Sequence, residues 1–505
     1  MKILRFIWSL VLFAALWSST VEAAYQGDAL ADQTFRGLNE IRQDRKTKVL
    51  SYLNHALEKA SVSRSDPILR KAFREFRSIF ERDPAYVAKS SQLVRDIDQH
   101  YVTRYGEFYD ILFVGDGGEV FYSVKAESDY GKNLFKGPLK GSEIARTLKS
   151  VKDVAFIDFD YYQPSKEAAS FLAVRIEEQQ AGWMVFQLPL NTINAILFQD
   201  GRFKSTGEVY LANHRKIMLT QSRFSRENTS FNLRVDTAAL DTALESGQGN
   251  LKIDDYRGIK VFSSFERFDF HGVTWVIVAE IDEDEVITDH YQANKEFFIK
   301  RLFAEPVLGR STQSQIRPDE KSIRVDINEY SKGLPRQSLY TQGIATCTGI
   351  LLSLANRFSY LGHIYPLDRN YGSEMKNWFI KLGLQMRGRI DAYPRVDLLD
   401  QMLQQLHDFD IYPSEKRNLE VLLVATHTNS FENLIDRLIK EGLFLSQIRV
   451  LYEPNHAYAN IVASADGGKV TVGFKGANKH RLFDGTTAAV PSLGQLVKQT
   501  AKLAF

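Results

Sequence analysis

Apolar residues recur at helical spacing from about residue 28 to residue 106, with Leu38, Ile41, Val49, Leu53 and Leu57 set among charges. This spacing predicts long amphipathic helices. The polar stretch Ser61 to Ser65 and then Pro67 interrupt the pattern, which resumes towards Tyr101. From Tyr109 the period falls to two. Ile111–Val114 and Val120–Val124 read as strands flanking the turn Gly115-Asp116-Gly117-Gly118. Further strands are predicted at Ala155–Phe159, Ser170–Ile176 and Trp183–Leu188. After a linking helix the theme recurs at Glu208–Leu211, Lys216–Thr220, Val261–Ser264 and Val273–Glu280. The pattern is that of two αβ modules in series behind a long helix. The stretch Glu305–Lys321 is polar, holds Pro306, Gly309 and Pro318, and reads as a linker. Mixed elements follow: strands at Ser322–Ile327, Ile350–Ala355, Phe358–Ile364, Asn418–Thr426 and Gln447–Tyr452, helices at Leu398–His407 and Ser430–Glu441, and a hairpin of Ala459–Ser464 with Lys469–Phe474 around Asp466-Gly467-Gly468. The fold class expected is α+β, or mixed α/β.

The first residues carry a different pattern. Lys2 and Arg5 precede the apolar run Phe6 to Trp17, and Val21-Glu22-Ala23 has the small-x-small form of a cleavage site. This order predicts a signal peptide over residues 1–23 and a periplasmic or secreted protein. The run is short for a membrane span. Were it retained, its positive flank would still send the remainder outward. The 64 basic and 62 acidic residues give a net charge of +2, and loss of Lys2, Arg5 and Glu22 with the leader changes this to +1. No field of one sign favours nucleic acid or anionic lipid. The single cysteine, Cys347, forms no internal disulfide. In an oxidising compartment it is either buried and inert or kept free for a purpose.

Several words in the first half are more specific than their periodicity. They include Phe108-Tyr109-Asp110-Ile111, Tyr122-Ser123-Val124, Asp129-Tyr130-Gly131-Lys132-Asn133-Leu134 and Asp158-Phe159-Asp160-Tyr161-Tyr162-Gln163-Pro164-Ser165. Phe186-Gln187-Leu188-Pro189, Thr206-Gly207-Glu208-Val209-Tyr210-Leu211 and Asp255-Tyr256-Arg257-Gly258 extend the set. In this layout the chain resembles the double Cache (dCache) sensor domain of bacterial chemoreceptors and sensor kinases. The resemblance implies long N-terminal helices with two PAS-like modules over residues 24–303, and a linker over 304–321. It departs from common receptors in that no transmembrane helix, HAMP segment or signalling coiled coil follows Glu285. It also implies a small-molecule ligand in the first module, gripped by aromatic and acidic residues. The candidates are Tyr122, Asp158, Asp160, Tyr161, Tyr162 and Trp183, with the Asp158–Tyr162 segment as a loop opposite Trp183. A carboxylate there suits a ligand amine and aromatic faces suit a cation. The competing reading makes the same aromatics core. The arginine-containing motif of the amino-acid-sensing branch is not evident, so the ligand class stays open.

In the second half Tyr340-Thr341-Gln342-Gly343-Ile344-Ala345-Thr346-Cys347 leads into an apolar run, and Gly362-His363 follows, sixteen residues after the cysteine. A thiol is a poor nucleophile until it loses its proton, which a nearby imidazole arranges. The pattern T-x-G-x-x-[ST]-C, then a strand, then G-H-x-x-P, resembles the chemoreceptor glutamine deamidases (CheD). That resemblance implies a layered α/β domain over 322–480, with 481–505 left as a C-terminal tail. It assigns Cys347 as nucleophile, His363 as base and Thr341 as helper. The sequence departs from the family at Ala345 and Thr346, where a glycine and a serine are usual, at Val424–His427, and in an extra helix expected at Ser373–Met386. His427 and His456 are expected at the surface or the substrate side. No metal-ligand spacing is present and no cofactor is expected. The implied partners are a ligand for the sensor, a protein or amide substrate outside the cytoplasm, a membrane receptor, and a second copy through the N-terminal helices. Two classes of function follow. One is a sensor-regulated cysteine amidohydrolase. The other is a non-catalytic sensor or binding protein.

Overall fold

The computed structural model describes residues 2–83, 92–99, 108–177, 181–198, 205–304, 310–312, 316, 318, 321–334, 336–364, 398–411, 413–427, 431–454, 456–476 and 480–501, without the side chains of residues 2–28, 310–312 and 413–414. The cleavage site's side chains, most of the linker 304–321, the extra helix Ser373–Met386 and Pro366 of the G-H-x-x-P word lie outside that description. By its contacts the chain divides into two compact units, residues 31–283 and residues 1–30 with 284–505. Among the described residues no helix is long and apolar enough to cross a membrane.

Helix α1 spans Lys2–Ser63 and α2 spans Pro67–Arg82. The break falls where the polar stretch and Pro67 predict it. Asp66 caps α2 through its carboxylate, which accepts from the N–H groups of Ile68 and Leu69 at 2.8 and 3.1 Å. A short α3 covers Gln92–Ile97. The first module is an antiparallel sheet of β1 (Asp110–Gly115), β2 (Val120–Ser123), β3 (Val154–Tyr162), β4 (Glu167–Ile176) and β5 (Gly182–Leu188), in the order β2-β1-β5-β4-β3. Phe73 and Phe76 of α2 pack on one side of it, against Phe113, Phe121 and Tyr122. The other face buries Leu112, Val114, Phe171 and Val185 against Leu134, Leu139 and α4 (Glu143–Leu148).

After α5 (Leu190–Phe198) the second module has strands β6 (Glu208–Asn213), β7 (Gln248–Asp254), β8 (Lys260–Phe270) and β9 (Val273–Asp282), ordered β6-β9-β8-β7, with α6 (Ala238–Ser246) on one face. Sequence periodicity missed β7, whose side chains are only partly buried. It also made a strand of Lys216–Thr220, which holds only isolated bridges at Ile217 and Met218. Arg42 of α1 donates to the Ser264 hydroxyl at 2.6 Å, and this ties the helix to β8.

The other unit begins with α7 (Glu283–Ala293) and α8 (Lys295–Leu302). The expected boundary after residue 303 is therefore moved back. Ile287, Tyr291, Phe298 and Phe303 are buried in the C-terminal core, so these helices belong to it. A six-stranded sheet contains β10 (Arg310–Thr312), β11 (Ile323–Arg324), β13 (Ser338–Ile344), β18 (Tyr458–Ser464), β19 (Val470–Lys475) and β20 (His480–Gly485). A five-stranded sheet contains β12 (Tyr330–Lys332), β14 (Thr348–Leu354), β15 (Phe358–Ile364), β16 (Glu420–Ala425) and β17 (Ile448–Tyr452), ordered β12-β15-β14-β16-β17. Leu339, Ile344, Ile461 and Val472 of the first sheet meet Leu351, Leu361, Leu422 and Leu451 of the second. The second sheet's outer face buries Ile350, Leu352, Leu423 and Val450 against α7, α8, α9 (Leu398–Gln405), α10 (Glu432–Lys440) and α11 (Leu493–Thr500). The result is sheet, sheet and helices in three layers. Residues 481–505 are thus not a tail. They supply strand β20 and helix α11, where Leu493, Val497 and Ala501 repeat every four residues and Ser492 with Gln495 forms a capping box.

Candidate functional site

Two places gather chemistry. The first is the inner face of the first module, where the sequence set six ligand candidates. Strict alternation would put Asp158, Asp160 and Tyr162 together, but β3 bulges between Ile157 and Asp160. The segment expected as a loop is strand up to Tyr162, and at the bulge Asp158 and Phe159 both face the side opposite to Ile157 and Tyr162. There Asp158 Oδ1 accepts from the indole N–H of Trp275 in the second module at 2.8 Å, and Phe159 packs on the same indole. Burial pushes the Asp158 carboxyl up to about 6. A bulge in β2 does the same to Tyr122. Phe113 pairs with Tyr122 but Val114 pairs with Val120, so Tyr122 turns to α2 and stacks on Phe76 at 4.6 Å. Burial raises its phenol. Tyr161 is 56% exposed. Asp160 is half-buried, 4.0 Å from Arg146, and accepts from the N–H of Tyr161.

Only Tyr162 and Trp183 of the six share the module's inner core. The β3 strand lies at the far edge of the sheet, two strands from Trp183, because β4 intervenes between it and β5. The guanidinium of Arg175 lies 4.5 Å from the Trp183 ring. Tyr162 donates to Asp129 Oδ2 at 2.8 Å. Asp129 is fully buried, and burial holds its carboxyl above the usual range. Asp110 lies near it, is 1% exposed and accepts from Ser123 Oγ at 2.7 Å; burial pushes it up to about 7. Among the described residues neither acid forms an ion pair. Neither was among the candidates read from the sequence, although they stand in the words Tyr109-Asp110-Ile111 and Asp129-Tyr130-Gly131.

The second place lies between the two sheets of the C-terminal unit. Thr341 is in β13 and pairs with Ile461 of β18. Between Thr341 and Ile344 that pairing gains an extra residue, so β13 bulges at Gln342 and Gly343. Gly343 has φ +73°, which favours glycine, and its N–H is held by Asn460 Oδ1 at 3.0 Å. Only Ala345, Thr346 and Cys347 separate β13 in one sheet from β14 in the other. Thr426 Oγ1 donates to the Ala345 carbonyl, which fixes this crossing. His363 on β15 pairs with Gly349 on β14. Cys347 lies two residues before Gly349, in the crossing that leads into β14. The backbone of His363 is tied on its other side, its N–H donating to Glu329 O at 2.9 Å and its carbonyl accepting from Asn328 N–H at 2.7 Å.

The side chains converge across the layer. Thr341 Oγ1 and His363 Nδ1 are 2.8 Å apart, and both residues are 0% exposed. Cys347 is 5% exposed and packs in the interlayer core with Ile344 and Leu351. If Thr341 accepts from Nδ1–H, the Nε2 of His363 is the basic nitrogen. The exposed Gln342 and Gly343 and the exposed His427 lie at the adjoining surface. His456 is 3.7 Å from the buried Glu453, and burial followed by the charge of Arg481 lowers its pKa. Among the described residues no group of side chains is arranged to hold a metal ion.

Solved structures similar to this chain include several ligand-binding domains, some of them from chemoreceptors. One is the ligand-binding domain of Mlp24 with asparagine, at 12% identity and TM-score 0.32, covering 52% of this chain and 97% of that one. A second is that of the Pseudomonas fluorescens chemoreceptor CtaA in complex with L-alanine, at 13% identity and TM-score 0.33, covering 50% and 97%. A third is that of the Pseudomonas aeruginosa PAO1 amino acid chemoreceptor PctB in complex with L-Arg, at 14% identity and TM-score 0.29, covering 46% and 96%. No residue role passes from them to this chain. No protein-family model and no curated protein matches it.

Proposed function

We propose that this chain is an exported sensor in which residues 31–283 bind a small molecule and the C-terminal unit is a cysteine-dependent amidohydrolase of the glutamine deamidase type. The observation that carries the enzymatic half is the 2.8 Å contact of Thr341 with His363 across two sheets, with Cys347 entering the same layer. Supporting the sensor half are two buried acids, Asp110 and Asp129, without an ion pair among the described residues, the second of them bonded to Tyr162.

In the reaction His363 takes the Cys347 proton, and the thiolate adds to the side-chain carboxamide of a glutamine. The tetrahedral oxyanion needs donors, for which backbone N–H groups of the Thr346–Cys347 segment are the source. The imidazolium protonates the departing ammonia and leaves a thioester. Water, deprotonated by the same imidazole, hydrolyses the thioester to glutamate and returns the thiol. Thr341 holds the imidazole in one tautomer and orientation. The substrate is a protein or amide outside the cytoplasm.

A second reading has its own observation. His363 and Thr341 are wholly buried and Cys347 nearly so, as in a domain that binds and signals to a membrane partner without turnover. Iodoacetamide separates the two. In the amidohydrolase, Cys347 alkylates in the folded protein well below the roughly 8.5 of a free thiol, and His363→Ala slows this at least tenfold. A Cys347 that reacts only on unfolding, at a rate indifferent to His363, leaves the binding protein as the function.

A further inference from the structure

Between the two modules of the 31–283 unit lies a cleft of about 350 Å³. Glu143 at the start of α4, with Asp158 and Phe159 of the β3 bulge, forms one wall. His214 and Arg215 in the turn after β6, with Thr274 of β9, form the other. The volume is that of a small-ligand site. The walls differ in charge, since the first-module wall carries two carboxylates and the second-module wall an arginine and a histidine.

These groups are not consumed by the fold. Arg215 is exposed, and among the described residues its guanidinium forms no ion pair. In the described contacts Asp158 is held through Oδ1 alone, which accepts from the Trp275 indole N–H and the Phe159 N–H, each at 2.8 Å. That indole fixes the carboxylate's direction across the module junction. Burial raises the Asp158 carboxyl to about 6, and an ammonium ion in the cleft would relieve that cost, since an opposite charge nearby favours the ionised form. Glu143 is engaged by Arg146 of its own helix and is half-buried. Asp158 faces the cleft on the side of Phe156, two residues earlier, which packs on the same Trp275 indole.

We propose that this cleft is a second ligand site, distinct from the interior of the first module, and that it takes a small zwitterion whose ammonium meets Asp158 and Glu143 and whose acid group meets Arg215 and His214. The site goes beyond the sensor reading given above. Its ligand bridges the two modules, so occupancy acts on the junction that the Asp158–Trp275 hydrogen bond spans. Charge-assisted contacts at both ends require both charges on one molecule.

The test uses the full chain and a homologous probe series: glycine, β-alanine, 4-aminobutanoate and 6-aminohexanoate, with butylamine and butanoate as singly charged controls. Calorimetric titration at pH 7.5 is expected to find one spacing that binds at least tenfold more tightly than either control. Arg215→Gln, a surface change, weakens that probe at least tenfold, and Glu143→Gln weakens it in the same direction. Tyr162→Phe, in the first module's interior, leaves it within twofold. The proposal is overturned if no member of the series binds. It is overturned equally if binding survives Arg215→Gln and is lost in Tyr162→Phe, an outcome that places the ligand in the first module and supports the sensor reading instead.

Discussion

Glu280 is a buried carboxyl whose titration should govern the alkaline stability of the 31–283 unit. It stands on β9 between Glu208 of β6 and Ser263 of β8, its register partners on either side. It is 1% exposed; Oε1 accepts from Ser263 Oγ at 2.7 Å, and Oε2 has no hydrogen-bond partner among the described residues. Glu208 is also buried, and it accepts from Ser222, Tyr256 and the N–H of Arg223. The nearby Arg257 is already paired with Asp255 and Asp282. Burial pushes Glu280 up to about 8, and the charges of Asp255 and Glu208 add to it against the Ser263 hydrogen bond and Arg257. Its ordinary value is 4.5. Between these values the folded chain holds a proton that the unfolded chain has lost, so stability falls as pH rises through the window. Each pH unit is worth about 1.4 kcal/mol. Crossing the whole window therefore withdraws on the order of 5 kcal/mol, a large part of the roughly 5–15 kcal/mol typical of a folded domain. Glu280→Gln keeps an acceptor for Ser263 and removes the titration. In urea unfolding followed by tryptophan fluorescence, the parent should lose several kcal/mol between pH 5.5 and 8.5. The variant should lose much less. A flat parent profile, or equal slopes in both proteins, refutes the reasoning.

Two further substitutions test the local accounts. Asp66→Ala removes the cap of α2 and should cost about 1 kcal/mol in urea unfolding with an unchanged denaturant slope; no loss would mean that water caps the helix as well. Gly349→Ala places a methyl 2.4 Å from Ile461 Cδ1 and 2.6 Å from Ile344 Cδ1, opposite His363, and should cost about 1–3 kcal/mol by overpacking the interlayer; a neutral variant would show that both isoleucines turn aside freely.

Much of the element order was legible, because period and punctuation agreed. Pro67 after a polar run ended one helix and began another, and Asn356-Arg357 between two apolar runs gave the β14–β15 hairpin. What failed were positions where a strand departs from period two. Tyr122 lies beside a bulge that reverses its face, and Asp158, expected in a loop, lies in a strand beside a second bulge. A bulge adds one residue to one strand and is visible only in the partner's register. Val154–Tyr162 carries no glycine to announce it. Residues 283–303 were given to the sensor for a similar reason. Amphipathic helices state that they have an apolar face, but the core that takes Ile287, Tyr291 and Phe298 is set by strands far along the chain. Thr341, Cys347 and His363 were read from a word, and that word includes the glycine the β13 bulge requires.

The local architecture around Cys347 follows from one constraint. Thr341 and Cys347 are six residues apart, yet Thr341 sits on a strand of one sheet and Cys347 immediately precedes a strand of the other, so the chain must cross the layer within Ala345–Cys347. A regular strand cannot do this, because its side chains alternate and its hydrogen bonds continue in one sheet. The bulge at Gln342 and Gly343 ends the pairing with β18, and the Thr426 hydroxyl holds the crossing by the Ala345 carbonyl. Alanine at 345 is consistent with that role, since this residue contributes a carbonyl and not a positive φ. The imidazole is placed independently by β15, whose backbone is tied to the turn before β12. Thr341 joins the two placements through one hydrogen bond. The position of the thiol relative to the imidazole therefore depends on the packing of one sheet upon the other, and a change that separates the sheets acts on the trio without touching any of its members.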